Sequence, residues 1–354
     1  MRTKIPHSAR NRRSAILAAL FAGAAFLATA GAAVAQNGRR TTPPPQVAAP
    51  SSAADDSKVH VLPVQGSVYM LVGAGPNITV QVAADSVLLV DSGTPDMSEA
   101  VLSQVRKLSL RPIEFIIDTS ADADHTGGNH NIAKTGWFVP VENAANPDFG
   151  GASIIAHVNT LTTMSVSTEK RPAVAENLWP TDTYDTDTWA VFTSEPVMIE
   201  HPHSAHTDGD SFVFFRRSDV LSTGDIFTPD HYPVFNPQDG GSLNGTIDAL
   251  NRMLEIIVPQ DNEEGGTYVI PGHGRVCDIT DVANYRDMVT IIRDRILDMA
   301  KKGMTLEQVK AAKPTFDYDV IYGSDTGPWA TNTFIEAAYR ELSKSAGQPA
   351  QGAQ

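Results

Sequence analysis

Asp118-Thr119-Ser120-Ala121-Asp122-Ala123-Asp124-His125-Thr126-Gly127-Gly128-Asn129-His130 decides how this 354-residue chain is read. It follows the apolar run Ile113–Ile117, which has the length of a buried strand, and its Gly-Gly pair turns the chain into a predicted helix. Asp122, Asp124 and His125 crowd two carboxylates and an imidazole into four residues at the end of that strand. In α/β proteins the ends of strands are where chemistry is usually placed.

Upstream, strands Val68–Val72 and Ile78–Val82 flank the turn cluster Gly73-Ala74-Gly75-Pro76-Asn77, and Ser86–Val90 follows before Asp91-Ser92-Gly93 breaks the chain. Thr94 as N-cap and Pro95 at the first helical position open a helix with Val101, Leu102, Val105 and Leu108 on one face. Strands, a helix, a strand and an acid-bearing loop make an α/β beginning. Residues 136–190 are less regular, with Trp137, Phe138, Trp179, Tyr184 and Trp189 among Pro, Asn and Asp. They read either as loops lining and covering a site or as a surface excursion whose aromatics anchor in the core.

The second half loosely repeats the first. A predicted strand, Val191–Val197, precedes His201-Pro202-His203-Ser204-Ala205-His206-Thr207-Asp208-Gly209-Asp210. A hairpin of Phe212–Phe215 and Val220-Leu221, turning at Arg216–Asp219, runs into Ser222-Thr223-Gly224-Asp225. The spacing of Ile247, Leu250, Leu254 and Ile257 predicts a helix from Leu243 to Ile257, and strand Thr267–Ile270 leads into Pro271-Gly272-His273-Gly274. A long helix is expected from Val282 to Lys302, with Gly303 as its stop. Thr305 with Gln308, and Thr333 with Glu336, are capping-box signatures for closing helices.

Composition bounds the rest. The formal net charge is -14, and the first 35 residues carry five basic residues and no acid, so the remainder is more acidic still. Such a surface repels nucleic acid and anionic membrane, which argues against both as partners and otherwise serves solubility; a small-molecule substrate is what the motifs below imply. The single cysteine, Cys277, forbids an intramolecular disulfide and reads as a small buried filler. A basic start, an apolar run from Ala15 to Ala35 and the pattern Ala33-Val34-Ala35 mark residues 1–35 as a cleaved signal peptide, with an uncleaved membrane anchor as the rival. Cleavage implies a periplasmic or secreted protein with no membrane attachment. Arg12-Arg13 leaves twin-arginine export open beside the general route. Residues 36–58, with Pro43-Pro44-Pro45, read as a disordered linker, and the polar tail 346–354 as flexible.

Four His- and Asp-bearing segments end strands: Asp-His-x-Gly-Gly-Asn at 124–129, Ala-His-Thr-Asp-Gly-Asp at 205–210, Thr-Gly-Asp at 223–225 and Pro-Gly-His-Gly at 271–274. Singly each is an ordinary loop or cap. In this order they resemble the motif set of the metallo-β-lactamase superfamily, and Asp91 fits that family's early aspartate. The resemblance implies an α+β fold, an αββα sandwich of two packed mixed sheets flanked by helices, over residues 59–285. Helices in 286–345 would then pack on the same domain.

The family's metal signature is His-x-His-x-Asp-His, and this chain has Ser120-x-Asp122-x-Asp124-His125. The resemblance assigns Asp124, His125 and His273 to the second metal, with Asp225 as bridge or fourth ligand, and His206 to the first metal. Ser120 and Asp122 stand where the first site has imidazoles, and a neutral hydroxyl is a poor zinc ligand. One divalent ion is therefore expected, Zn²⁺ first, with Fe²⁺ or Mn²⁺ also suited to two imidazoles and two carboxylates, and the second metal in doubt. Asp124 and Asp122 are the candidate catalytic residues. Asp122 would take a proton as general base, and His206 would hydrogen-bond substrate or leaving group. His130, His201, His203 and His231 lie near these motifs and are candidates to replace the missing imidazoles, or to take outer and surface roles.

The expected activity is exported metal-dependent hydrolysis of an ester, thioester, lactone, phosphoester or related bond. The resemblance disfavours β-lactams, whose hydrolases normally need the missing histidines. The alternative is a metal- or ligand-binding protein of the same fold that turns nothing over.

Overall fold

Two mixed sheets carry the chain in the computed structural model, which describes residues 58–136, 151–168, 172–262, 265–327 and 330–347. These all belong to one unit, Pro50–Gln354. The expected signal peptide, the expected linker up to residue 57 and the expected tail from residue 348, with Trp137 and Phe138, lie outside the described residues.

The first sheet runs in chain order: β1 His60–Gln65, β2 Val68–Val72, β3 Ile78–Val82, β4 Val87–Val90, β5 Ile113–Ile117, β6 Ser153–His157 and β7 Asp182–Tyr184. Pairing is antiparallel from β1 to β4 and parallel from β4 to β7. The second sheet comprises β8 Thr188–Phe192, β9 Pro196–Glu200, β10 Phe212–Phe215, β11 Val220–Ser222 and β12 Tyr268–Ile270, in the order β12-β11-β10-β9-β8. Only its β11–β12 pair is parallel.

Period-two alternation sorts the apolar side chains into three cores. Between the sheets, Val68, Met70, Leu88, Val90, Ile117 and Ile155 meet Val197, Ile199, Val213, Phe215, Val220 and Ile270. The alternate residues of the first sheet, Leu71, Val87, Leu89, Ile113 and Ile116, pack on helix α1, Ser98–Leu108, through Val101 and Val105. Phe212, Leu221 and Val269 of the second sheet pack outward on later helices. Those are α5 Leu243–Ile256, α6 Ile279–Lys301, α7 Leu306–Ala312 and α9 Thr331–Ser345. Helix, sheet, sheet, helix is the sandwich expected from the motifs. Where a strand buries both faces, as β2 and β4 do, its sequence is a continuous apolar run, and full burial of each such side chain contributes roughly 1.5–3 kcal/mol.

Three expectations change. Val191–Val197 is not one strand, because the chain reverses at Thr193-Ser194-Glu195, with Ser194 at φ 65°. Residues 136–190 are more regular than read: Ser153–His157 pairs with β5, and α4, Val158–Ser165, follows it. Thr333 lies inside α9, which starts at Thr331 after an uncapped Ala330, so its expected capping box is absent; the one at Thr305 and Gln308 forms. α2, Ala123–Thr126, α3, Asn129–Ala133, and α8, Asp319–Tyr322, are single turns.

The reversal at Ser194 has a physical cause. Glu195, 3% exposed, accepts from Gln81 Nε2 at 2.8 Å, Arg217 N at 2.6 Å, Ser218 N at 2.8 Å and Ser218 Oγ at 2.7 Å. One carboxylate thus ties β3 of the first sheet to the β10–β11 turn of the second. Glu195→Ala leaves those buried donors without an acceptor, and should destabilise by about 3–5 kcal/mol. Denaturant unfolding checks this, and a loss under about 1 kcal/mol would mean water replaces the carboxylate.

Candidate metal centre

The chemistry gathers where strands end: Asp91 after β4, the 118–130 segment after β5, Asp225 after β11 and His273 after β12. Glycines make the approach possible. Gly224 adopts φ 52°, which lets the chain turn sharply into Asp225. A Cβ on Gly272 would overlap Asp225 Oδ1, so only glycine before His273 admits that carboxylate.

His125 is fully buried. Its Nδ1 lies 2.7 Å from Asp91 Oδ2, an acceptor, so that nitrogen carries a proton and Nε2 is the nitrogen left to face a cation. Asp91 is itself held by Thr119 N at 2.8 Å and by the Thr119 hydroxyl at 2.9 Å. It occupies the left-handed region at φ 65°, unusual for a non-glycine and characteristic of functional sites.

Nε2 of His125 faces Asp225 Oδ1 at 3.4 Å, and His273 Nε2 lies 3.7 Å from the same oxygen and 3.5 Å from Asp124 Oδ2. Neither His125 Nε2 nor Asp225 Oδ1 has a hydrogen-bond partner of ordinary geometry, although both are buried. Buried polar atoms of this kind call for an explanation. Tetrahedral zinc with ligands at about 2.0–2.1 Å separates them by about 3.3–3.4 Å along each edge. The observed spacings of 3.4–3.7 Å come close to that. These residues therefore fit a divalent cation.

Asp124, His125 and His273 form one group whose ligand atoms all lie within 4.8 Å of one another, and Asp122, His206 and Asp225 form a second. Asp225 joins the two. Ser120 enters neither. Its hydroxyl donates to Asp122 Oδ2 at 2.8 Å and accepts from Asp122 N at 3.2 Å, so it orients Asp122. His206 Nδ1 lies 3.6 Å from both Asp122 Oδ2 and Asp210 Oδ1. Asp210, anchored by Thr207 N at 2.8 Å and by the Thr207 hydroxyl, was not singled out in the sequence, though it closes the 205–210 motif. His201 and His203 replace no missing imidazole; they lie in a third group, with Asp208. His130 and His231 join none of the three. Cys277 is buried, and burial raises its thiol.

Electrostatics follow from this crowding. Burial works to lower His125, but the carboxylates of Asp91 and Asp225 outweigh it and hold the imidazole well above its usual range. For Asp225 burial works upward, and His125, His206 and His273 outweigh it, so the carboxyl lies below the usual range. Burial likewise opposes the charge on His206, but Asp210, Asp122 and Asp225 push it up to about 9. A histidine raised above its ordinary 6.5 stabilises the fold fully below that pH, and the contribution is lost as pH rises through about 9. Chelator-treated protein should therefore melt at a lower temperature at pH 9 than at pH 6.5, and His206→Gln should flatten that difference. Equal slopes in the two proteins would overturn the assignment.

A family model described as the metallo-beta-lactamase superfamily matches residues 71–273, and the chain belongs to that superfamily. It is a family of hydrolases whose members usually bind metal ions. Within it, an (R)-specific secondary-alkylsulfatase from Pseudomonas sp. is 21% identical over 288 residues, covering 70% of this chain and 42% of that protein. The solved structure of the stereoselective inverting sec-alkylsulfatase Pisa1 from Pseudomonas sp. superposes with a TM-score of 0.62 at 16% identity, covering 83% of this chain and 52% of the other. A metallo-beta-lactamase from Pontibacter korlensis gives a TM-score of 0.48 at 15% identity, over 66% of this chain and 99% of that one. The chain thus spans about half the length of the alkylsulfatases it matches.

Proposed function

We propose that this chain is a metal-dependent hydrolase with one divalent cation held by Asp124, His125, His273 and Asp225. What carries the reading is the convergence of their ligand atoms at 3.4–3.7 Å, near the edge length of a tetrahedral zinc site. A cation there supplies a water of lowered pKa and polarises the oxygen of a substrate carbonyl, phosphoryl or sulfuryl group.

The chain's own residues supply the rest. Asp91 fixes the tautomer of His125, a role typical of the groups behind metal ligands. Asp122, held by Ser120 beside Asp225, is placed to take a proton. His206, charged between Asp122 and Asp210, offers positive charge to the substrate side. Sulfate esters head the substrate series, because the matched relatives are alkylsulfatases. Carboxylic esters, lactones, thioesters and phosphoesters follow. The basic start and the Ala33-Val34-Ala35 pattern support export. No helix among the described residues is long and apolar enough to cross a membrane.

The test is a panel of these substrates with zinc-loaded protein, run beside His125→Ala. Cleavage above the variant's background supports the enzyme. Cleavage of none of the bond classes, with metal bound, would leave a binding protein of the same fold.

A further inference from the structure

A set of three histidines lies beside the reaction centre and takes no part in it. His157 ends β6, and His201 follows β9 directly. Their rings stack with centroids 3.6 Å apart and planes 8° from parallel. His203 meets His201 edge-on, with centroids 4.9 Å apart. His157 and His201 are each 5% exposed, whereas the side chain of His203 is 69% exposed. Burial first, and His201 next, hold His157 down at about 4.

The tautomer of His201 follows from its partner. His201 Nδ1 lies 2.8 Å from the Asp210 carbonyl oxygen, which can only accept, so Nδ1 holds the proton and Nε2 the lone pair. His203 Nε2 lies 3.2 Å from Asp187 Oδ1. An imidazole with one nitrogen tied to a carbonyl or carboxylate is the usual state of a metal ligand. Asp208 is held in turn: Asn159 Nδ2 donates to its Oδ2 at 3.2 Å and to its backbone oxygen at 2.8 Å. One ligand atom each from His201, His203 and Asp208 lies within 4.8 Å of the others.

We propose that His201, His203 and Asp208 form a separate transition-metal site at the rim of the sandwich. Two imidazoles and one carboxylate suit Zn²⁺, Ni²⁺ or Cu²⁺ and do not suit Mg²⁺ or Ca²⁺, which prefer oxygen cages. The three protein ligands leave positions for water. His157, stacked on His201, is a wall that fixes the ring plane, and Asp187 orients His203. The site stands whether or not the chain is a hydrolase, since none of its ligands belongs to the reaction centre.

The test counts Zn²⁺ ions per chain after chelator treatment and reloading at saturating Zn²⁺, in the wild type, His203→Ala, Asp208→Asn, His125→Ala and the double variant His125→Ala/His203→Ala. His203→Ala and Asp208→Asn are each expected to hold one ion fewer than wild type, His125→Ala to lose a different one, and the double variant to lose both. Asp187→Asn should weaken the rim ion on the order of 10–100-fold while keeping the count at saturation. Near-unchanged melting of His203→Ala, whose side chain is largely exposed, confirms that the fold survives. If His203→Ala and Asp208→Asn bind as much Zn²⁺ as wild type with unchanged affinity, the rim site does not exist. If only His125→Ala loses an ion, the reaction centre stands and the rim site falls.

Discussion

Asp225→Ala should lose its metal and at least about 10³-fold in kcat/KM, since a catalytic cation supplies several kcal/mol and each 1.36 kcal/mol is tenfold. Asp225 belongs to the group with Asp122 and His206, and its Oδ1 also faces two ligands of the other group. Its Oδ1 lies 3.4 Å from His125 Nε2 and 3.7 Å from His273 Nε2, and its carboxyl group also completes the set with Asp122 and His206. Removing it opens the tetrahedron on one side and deprives the opposing imidazoles of their shared counter-charge.

The same substitution leaves the scaffold intact, because Gly224 already provides the turn and Gly272 the clearance. Folded Asp225→Ala with a normal circular dichroism spectrum, no ion at this centre and background hydrolysis is the expected outcome. His125→Ala should behave alike in metal and rate, but with an added stability loss, since it strands Asp91 in the core. A fully metallated, active Asp225→Ala would remove the basis of the proposed centre.

Much of this architecture was legible before any coordinates, because it depends on patterns that sequence displays. Strands buried on both faces are apolar throughout, so β2 and β4 announce themselves. Gly272 before His273 and Gly224 before Asp225 mark close approach, which only glycine permits. Less legible was whatever depends on a single polar contact. The reversal at Ser194 has no glycine and only Pro196, inside the run read as one strand, to signal it, and depends on the carboxylate of Glu195 buried against the neighbouring hairpin. β6 escaped notice because its apolar run is only Ile154-Ile155-Ala156, and with it His157, which no motif accompanies. Thr333 and Glu336 have capping-box spacing, but Phe334, Ile335 and Ala338 reach the core only if the helix has already begun, and packing outweighs the cap. Ser120 read as a lost ligand; its contacts make it the residue that aims Asp122.

That reassignment leads to the second large effect. Asp122→Asn should lower kcat by about 10²–10³-fold, the usual loss when a general base is removed, while the ion of this centre stays bound. Asparagine preserves the shape at this position and can still accept from Ser120 Oγ, so position and fold are kept and only the capacity to take a proton is lost. The side chain is 42% exposed, open enough to pass that proton to solvent after each turnover. Ser120→Ala provides the matched control. It keeps the carboxylate but frees its orientation, so its effect should be smaller, about tenfold or less, the worth of one hydrogen bond. If Asp122→Asn instead loses a bound ion, Asp122 is a ligand of the group with His206 and Asp225, and the single-cation reading gives way to a two-metal centre built with a carboxylate in place of an imidazole.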